Sequence, residues 1–227
     1  KGAKYESRNL IGYLDGRKGF EHGDLESFYH TWYRPDYQAI FVVGDVDVDA
    51  VESKIKTLMS DIPAPAADAP KKEVIYVPDN EEPIVSIFTD PEMQYSSISM
   101  YCKRKELAPK EIANTVYAEM INVALSYMDN MGNARFNEMT MKPDAPFLGA
   151  GMGNGSVGIC PTLEVTVFSA QAEEGKIATT MEALCTEMER IQRYGFTQSE
   201  FERAQNELLR SAERKYANRN DHKNGEY

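Results

Sequence analysis

Apolar residues recur along this chain with two different periods, and the changes between them mark the elements. YQAIFVVG, residues 37–44, is a near-continuous apolar run rich in β-branched and aromatic side chains. It predicts a strand covered on both faces and closed by Gly44. Upstream, LESFYHTWY predicts a short helix capped by Asp24 and ended by Pro35, because the residue before a proline is pushed out of the α region. Downstream, Asp45, Asp47 and Asp49 supply turn and cap chemistry for a helix over VDAVESKIKTLMSD. There Val51, Ile55, Leu58 and Met59 make one apolar stripe, which predicts packing on a sheet.

IPAPAADAPKK, residues 62–72, reads as an extended connector inside one module. EVIYVP, PIVSIFTD and SSISMYCKRK then predict three strands separated by Pro, Asp and Asn. A long helix follows from Pro109, with Ile112, Val116, Met120, Val123 and Tyr127 on one side. Gly132 is expected to end it, leaving NARFNEMTMK as a second, shorter helix. A glycine-rich stretch starting at Gly149 leads into a strand with Leu163, Val165 and Val167 on one face.

Two helices close the chain. In the first, Ile177, Met181, Leu184, Cys185, Met188 and Ile191 keep helical spacing, and Gly195 stands where a left-handed residue belongs. The second opens with a capping box of Thr197 and Glu200, and Phe196 is placed to staple onto Phe201. Strands and helices intermixed in this order predict an α+β fold, with a mixed, mostly antiparallel sheet packed on one face by helices. Residues 1–227 are read as a single domain, with 1–36 as a lead-in segment.

Composition narrows the functional classes. With 36 acidic against 25 basic residues, the net charge of −11 repels a nucleic-acid backbone and disfavours that partner class. The acidic excess otherwise reads as a solvated surface, and no run approaches the ~20 apolar residues of a membrane helix. Cys102, Cys160 and Cys185 form no C-x-x-C pair and read as small buried apolar residues. The methionines Met120, Met128, Met131, Met181 and Met188 read as core filler.

The candidate chemistry is sparse. His22, Glu26 and His30 stand four residues apart, a spacing that suggests ligands on one helix face. Yet residues i and i+8 lie about 12 Å apart along a helix, whereas zinc ligands lie ~2 Å from the metal. Gly23 and Asp24 also mark a helix start that leaves His22 outside it, so surface or interface histidines are the better reading. GAGMGNGSVG lacks the Lys-Ser/Thr and the following helix of a phosphate loop. It predicts a hairpin or bulged sheet edge, of the kind that could take up an extended peptide by strand addition.

Several segments, taken in order, resemble the insulinase/pitrilysin family of zinc peptidases, the inverzincins. SRNLIGYLDG followed by LESFYHTWYRPDYQAIFVVGDVDVDAVESKIKTLMSDIP is similar to that family's helix, Tyr-Arg-Pro turn, strand ending in Val-Gly-Asp, and helix ending in Ile-Pro. NARFNEMTMK resembles its Ser-Arg-Leu segment, with Ala134 and Phe136 replacing serine and leucine. RIQRYGFTQSEFERAQNELLRSAERKY resembles its closing Gly-Phe-Thr helix, with Gln205 where lysine is common.

The family's zinc motif, His-x-x-Glu-His, is absent: the histidines are His22, His30 and His222, and no two have the required gap. The resemblance therefore implies a non-catalytic second domain of a zinc metallopeptidase, with a metallopeptidase- or mitochondrial-processing-peptidase-like fold. It implies no catalytic, metal or cofactor-binding residue in this chain, with zinc carried by an upstream domain. The implied partners are the remainder of the same polypeptide and peptide substrates in a chamber this domain helps to wall. A binding or assembly module from an inactive paralogue is the other reading, and an upstream His-x-x-Glu-His would separate the two. The Trp-Tyr-Arg-Pro-Asp and Val-Val-Gly-Asp wording resembles exported bacterial relatives, which favours the periplasm over the cytoplasm.

Overall fold

The computed structural model describes residues 4–7, 11–104, 112–158, 160–221 and 223. Contacts divide them into two compact units, one of residues 75–214 and one of 4–74 with 215–223.

The first unit is built on a three-stranded antiparallel sheet of order β1-β3-β2, with β1 at Ser96–Arg104, β2 at Gly149–Val157 and β3 at Cys160–Ala172. β2 and β3 form the hairpin expected of the glycine-rich stretch, with an irregularity between Ser156 and Val157. Register sets the core. Phe168 stands opposite Met100 on one side and Met152 on the other, and Ala170 opposite Ile98 and Ala150. These residues point to the face covered by α4 (Val116–Thr140) and α5 (Ile177–Tyr194), where Phe136, Phe147, Met152, Phe168, Ala170 and Leu184 close the core. Phe136 meets Phe147 and Phe168 edge-on at 6.2 and 6.4 Å. Each such buried side chain contributes about 1.5–3 kcal/mol of apolar burial. The main core face of β3 is thus opposite the one carrying Leu163, Val165 and Val167, although Val165 is also buried.

α4 corrects the sequence reading. It is one helix of 25 residues, starting at the Thr115 cap and passing through Gly132 without a break. A glycine inside a helix costs about 1 kcal/mol relative to alanine, but here a Cβ would stand 2.1 Å from the Met152 sulfur. Close approach to β2, not termination, explains Gly132. The expected stripe is also displaced: Val116, Met120 and Val123 are exposed, and the buried positions are Ala118, Met131, Gly132 and Phe136. Pro109 lies outside the described residues.

α5 ends as predicted at Gly195, with φ +63°. α6, Gln198–Ala217, opens on the expected capping box: Thr197 N–H donates to Glu200 Oε2 at 2.6 Å and Glu200 N–H to Thr197 Oγ1 at 3.4 Å. The expected staple is replaced. Phe201 stacks on Tyr127 at 5.0 Å, and the Phe196 ring lies 4.6 Å from the Arg135 guanidinium carbon.

The second unit holds α1 (Leu14–Gly19), α2 (His22–Trp32), a 3-10 turn at Pro35–Tyr37 and α3 (Val48–Met59). Asp47 caps α3 by accepting from Ala50 N–H at 3.0 Å. Among the described residues this unit has no strand ladder. Of the run 37–44, Tyr37 ends the 3-10 turn and residues 38–43 join no ladder, with Phe41 86% exposed, because a strand gains its backbone bonds only from a neighbour. The stripe on α3 accordingly has no sheet to cover, and Leu58 and Met59 are exposed. Residues 73–78 and 83–90 likewise join no ladder, and of the three expected strands only the third, at 96–104, does.

Candidate functional site

Three places carry the residues that the sequence singled out. The first is α2. His22 is its first residue, not a residue outside it, because Glu21 is the N-cap and Asp24 closes a capping box by accepting from Glu21 N–H at 2.9 Å. His22 Nδ1 lies 3.5 Å from Glu26 Oε1, while His30 packs edge-on to the Tyr29 ring. Two helical turns separate the histidines, so one metal ion cannot reach both. Among the described residues no three His, Cys, Asp or Glu side chains gather as a ligand set. The donor set here does not fit zinc.

The second is the glycine-rich strand β2. Its alternate backbone groups face away from β3, as antiparallel pairing requires, and α4 occupies them. Asn133 lies one helical turn after Asp129, so both reach the strand. The Asn133 side-chain amide donates to Met152 O and accepts from Met152 N–H, both at 2.9 Å. Asp129 accepts from Asn154 N–H at 3.3 Å and from Asn154 Nδ2 at 2.5 Å. Two side chains thus stand where an added strand would bond. An extended peptide cannot be taken up at Met152 and Asn154 without displacing them, which corrects the expectation for this edge.

The third is a buried ion-pair cluster that joins two segments distant in sequence. Arg135, from NARFNEMTMK, donates through Nε and Nη2 to Glu200 Oε1 and Oε2 at 2.5 and 2.9 Å. Its Nη1 donates to Glu187 Oε1 at 3.1 Å and its Nη2 to Gly195 O at 2.8 Å. Glu187 is 1% exposed and also accepts from Arg190 at 3.0 Å. The hydrogen bonds from Arg135 hold the Glu200 carboxyl down at about 2, against a partial opposing effect of burial. The Glu200 carboxylate in turn raises the Arg135 guanidinium above its ordinary value. Four of the five N–H donors of Arg135 are committed to protein acceptors, so the cluster clasps α4, α5 and α6 together.

The cysteines separate: Cys160 is buried and Cys185 half-buried, but Cys102 is exposed near the end of β1, against the expectation. Met128 and Met188 pack on the core and Met131 is buried, as filler should be, whereas Met120 is exposed.

Residues 19–126 match the profile of the peptidase M16 inactive domain. Over 195 residues the chain is 24% identical to the probable zinc protease PqqL of Escherichia coli K12, covering 86% of this chain and 20% of that protein. The crystal structure of the periplasmic protease PqqL from Escherichia coli superposes with a TM-score of 0.81 at 21% identity, over 96% of this chain and 23% of that one. The crystal structure of the first half of that protease gives the same TM-score and identity, with 45% of its length covered. The chain therefore spans about a fifth of the length of this curated relative.

Proposed function

Because this chain carries a peptidase M16 inactive domain and is homologous to the PqqL zinc protease, we propose that it serves a longer zinc-dependent metallopeptidase as the domain that helps to wall its peptide chamber. The match over residues 19–126 carries this reading. Its contribution is shape: the Arg135 cluster and the aromatic core fix three helices against one sheet, giving a rigid wall. Residues 1–36 are the lead-in from a preceding domain, which holds the zinc and the water-activating glutamate. The remainder of the same polypeptide is the partner, extended peptides are the substrates, and the periplasm is the compartment, as it is for the Escherichia coli protease.

A peptidase assay separates the possibilities. The 227-residue chain, loaded with zinc, should leave a mixed fluorogenic peptide library uncut. The longer polypeptide that contains it should cut the library, lose activity to a chelator and regain it with zinc. Cleavage by the short chain that disappears in His30→Ala would overturn the reading. An inert, zinc-free long polypeptide would move the protein to the assembly role of an inactive paralogue.

A further inference from the structure

β1 is an edge strand without the usual defences of one. In the order β1-β3-β2 it bonds to β3 alone, and its register with β3 runs unbroken from Ser96 to Arg104, with no bulge. From Ser96 to Cys102 it holds no proline and no charge, and Lys103 and Arg104 stand only at its end. A flat edge of that kind pairs with whatever extended chain reaches it. A suitable chain precedes it in sequence. Residues 83–88, PIVSIF, have strand composition but join no ladder, and Val85 and Ile87 are 78% and 85% exposed.

Both ends of this segment are already fastened to the ends of β1. On one side Met93 N–H donates to Asp90 O at 3.2 Å and Glu92 N–H to Asp90 Oδ1 at 2.8 Å, making a turn just before β1. On the other, Lys103 Nζ, next to the far end of β1, donates to Pro78 O at 2.7 Å and lies 3.6 Å from Asp79 Oδ1. The two fastenings agree on one antiparallel register. Counting back from the turn sets Phe88 opposite Tyr95, Val85 opposite Ile98 and Asp79 opposite Arg104, one residue from the lysine that Asp79 meets.

We propose that residues 83–88 are a strap that closes on the outer edge of β1 as a fourth antiparallel strand, and that the structure holds this strap released. In the register set by the fastenings, Val85 and Ile87 extend the face that carries Ile98 and Met100, while Phe88 meets Tyr95 across the pair. Pro83 comes first, where a strand tolerates a residue without an N–H. The tether favours this occupant over a second copy. A short linker holds the segment near β1 at an effective concentration of about millimolar, whereas two chains of net charge −11 repel. A two-stranded hairpin alone is marginal in water, so the strap closes only once β3 holds β1 in place. Closed, it seals β1 against other chains; released, it leaves the edge open to one. The device belongs to this unit alone and stands independently of the peptidase reading.

The test is amide hydrogen exchange in the 15N-labelled 227-residue chain at two protein concentrations. Alternate amides over 84–88, and the outward amides of β1, should exchange at least about tenfold more slowly than in unstructured chain, equally at both concentrations. Val85→Pro with Ser86→Pro removes one donor of each orientation from the strap. That variant should lose both sets of protection, keep the protection between β1 and β3, and self-associate as its edge is uncovered. If it does not fold, the exchange pattern of the unaltered chain decides alone. Unprotected amides over 84–88 in that chain overturn the proposal, as does protection that grows with concentration, which would make the occupant a second copy. An outer edge of β1 equally protected in the variant overturns it too, because something other than the strap would then cover it.

Discussion

Arg135 on α4 grips both oxygens of Glu200 on α6, at 2.5 and 2.9 Å, and through this pair two sequence segments 65 residues apart become one structural clasp. Glu200 has a second task in the capping box with Thr197, so one carboxylate starts a helix and ties it to another. Removing the cation should be the more damaging change, because Glu187 stays buried with only the exposed Arg190 for company. Arg135→Leu is expected to cost about 3–5 kcal/mol and Glu200→Ala about 1.5–3 kcal/mol. Urea unfolding at constant m-value measures both.

Acid should act through the same pair. The Glu200 carboxyl lies at about 2 in the folded protein and at 4.5 without its partners. A depressed folded value means that the pair's stabilisation is fully present above the unfolded value and is lost as pH falls between 4.5 and about 2. Glu200→Gln should flatten that part of the stability profile. An unchanged acid limb in the variant would show that other carboxylates govern it.

Gly132→Ala tests why a glycine sits inside α4. Alanine is the better helix former by about 1 kcal/mol, but its Cβ would overlap the buried Met152 side chain, and overpacking costs about 1–3 kcal/mol. The single variant should be destabilised. In a Met152→Ala background the same substitution should be neutral or stabilising, and a double-mutant cycle reads the difference.

Asn133→Ala should uncover the backbone of Met152. The two hydrogen bonds to Met152 and the one to Asp129 O disappear and a strand edge opens, which should cost about 1–3 kcal/mol and speed amide exchange at Met152. Open edges also pair with one another. Concentration-dependent self-association of the variant, read by light scattering, is the further expected sign.

Zinc should not be retained. After loading and dialysis, elemental mass spectrometry should find no stoichiometric zinc on the 227-residue chain, and His30→Ala should change neither that result nor the melting temperature. A chelator should likewise leave the melting curve where it was.

The legible parts of this fold were those whose signals are local. Gly195, the Thr197–Glu200 box and the Asp47 cap were visible because turn and cap chemistry is decided within four residues. Gly132 misled because a glycine that ends a helix and one that lets a neighbour approach look the same until Met152 is brought beside it. The runs 37–44 and 83–90 have strand composition, but a ladder needs a partner that composition does not name. Of the site residues, His22 and His30 drew attention by type and spacing. Asn133 did not, since its role arises from what lies opposite it in space.

The strand order β1-β3-β2 also sets a timetable for folding. β2 and β3 meet across a tight hairpin, from Val157 to Cys160, and can pair as soon as both exist. Arg104 at the end of β1 must wait for Glu164, 60 residues further on. At synthesis rates of about 5–20 residues per second, that interval is roughly 3–12 seconds. During it the first strand of the sheet has no ladder, and its apolar face depends on whatever shelters a nascent chain. Substitutions that make β1 more β-prone would then raise aggregation during synthesis while leaving the finished protein no less stable.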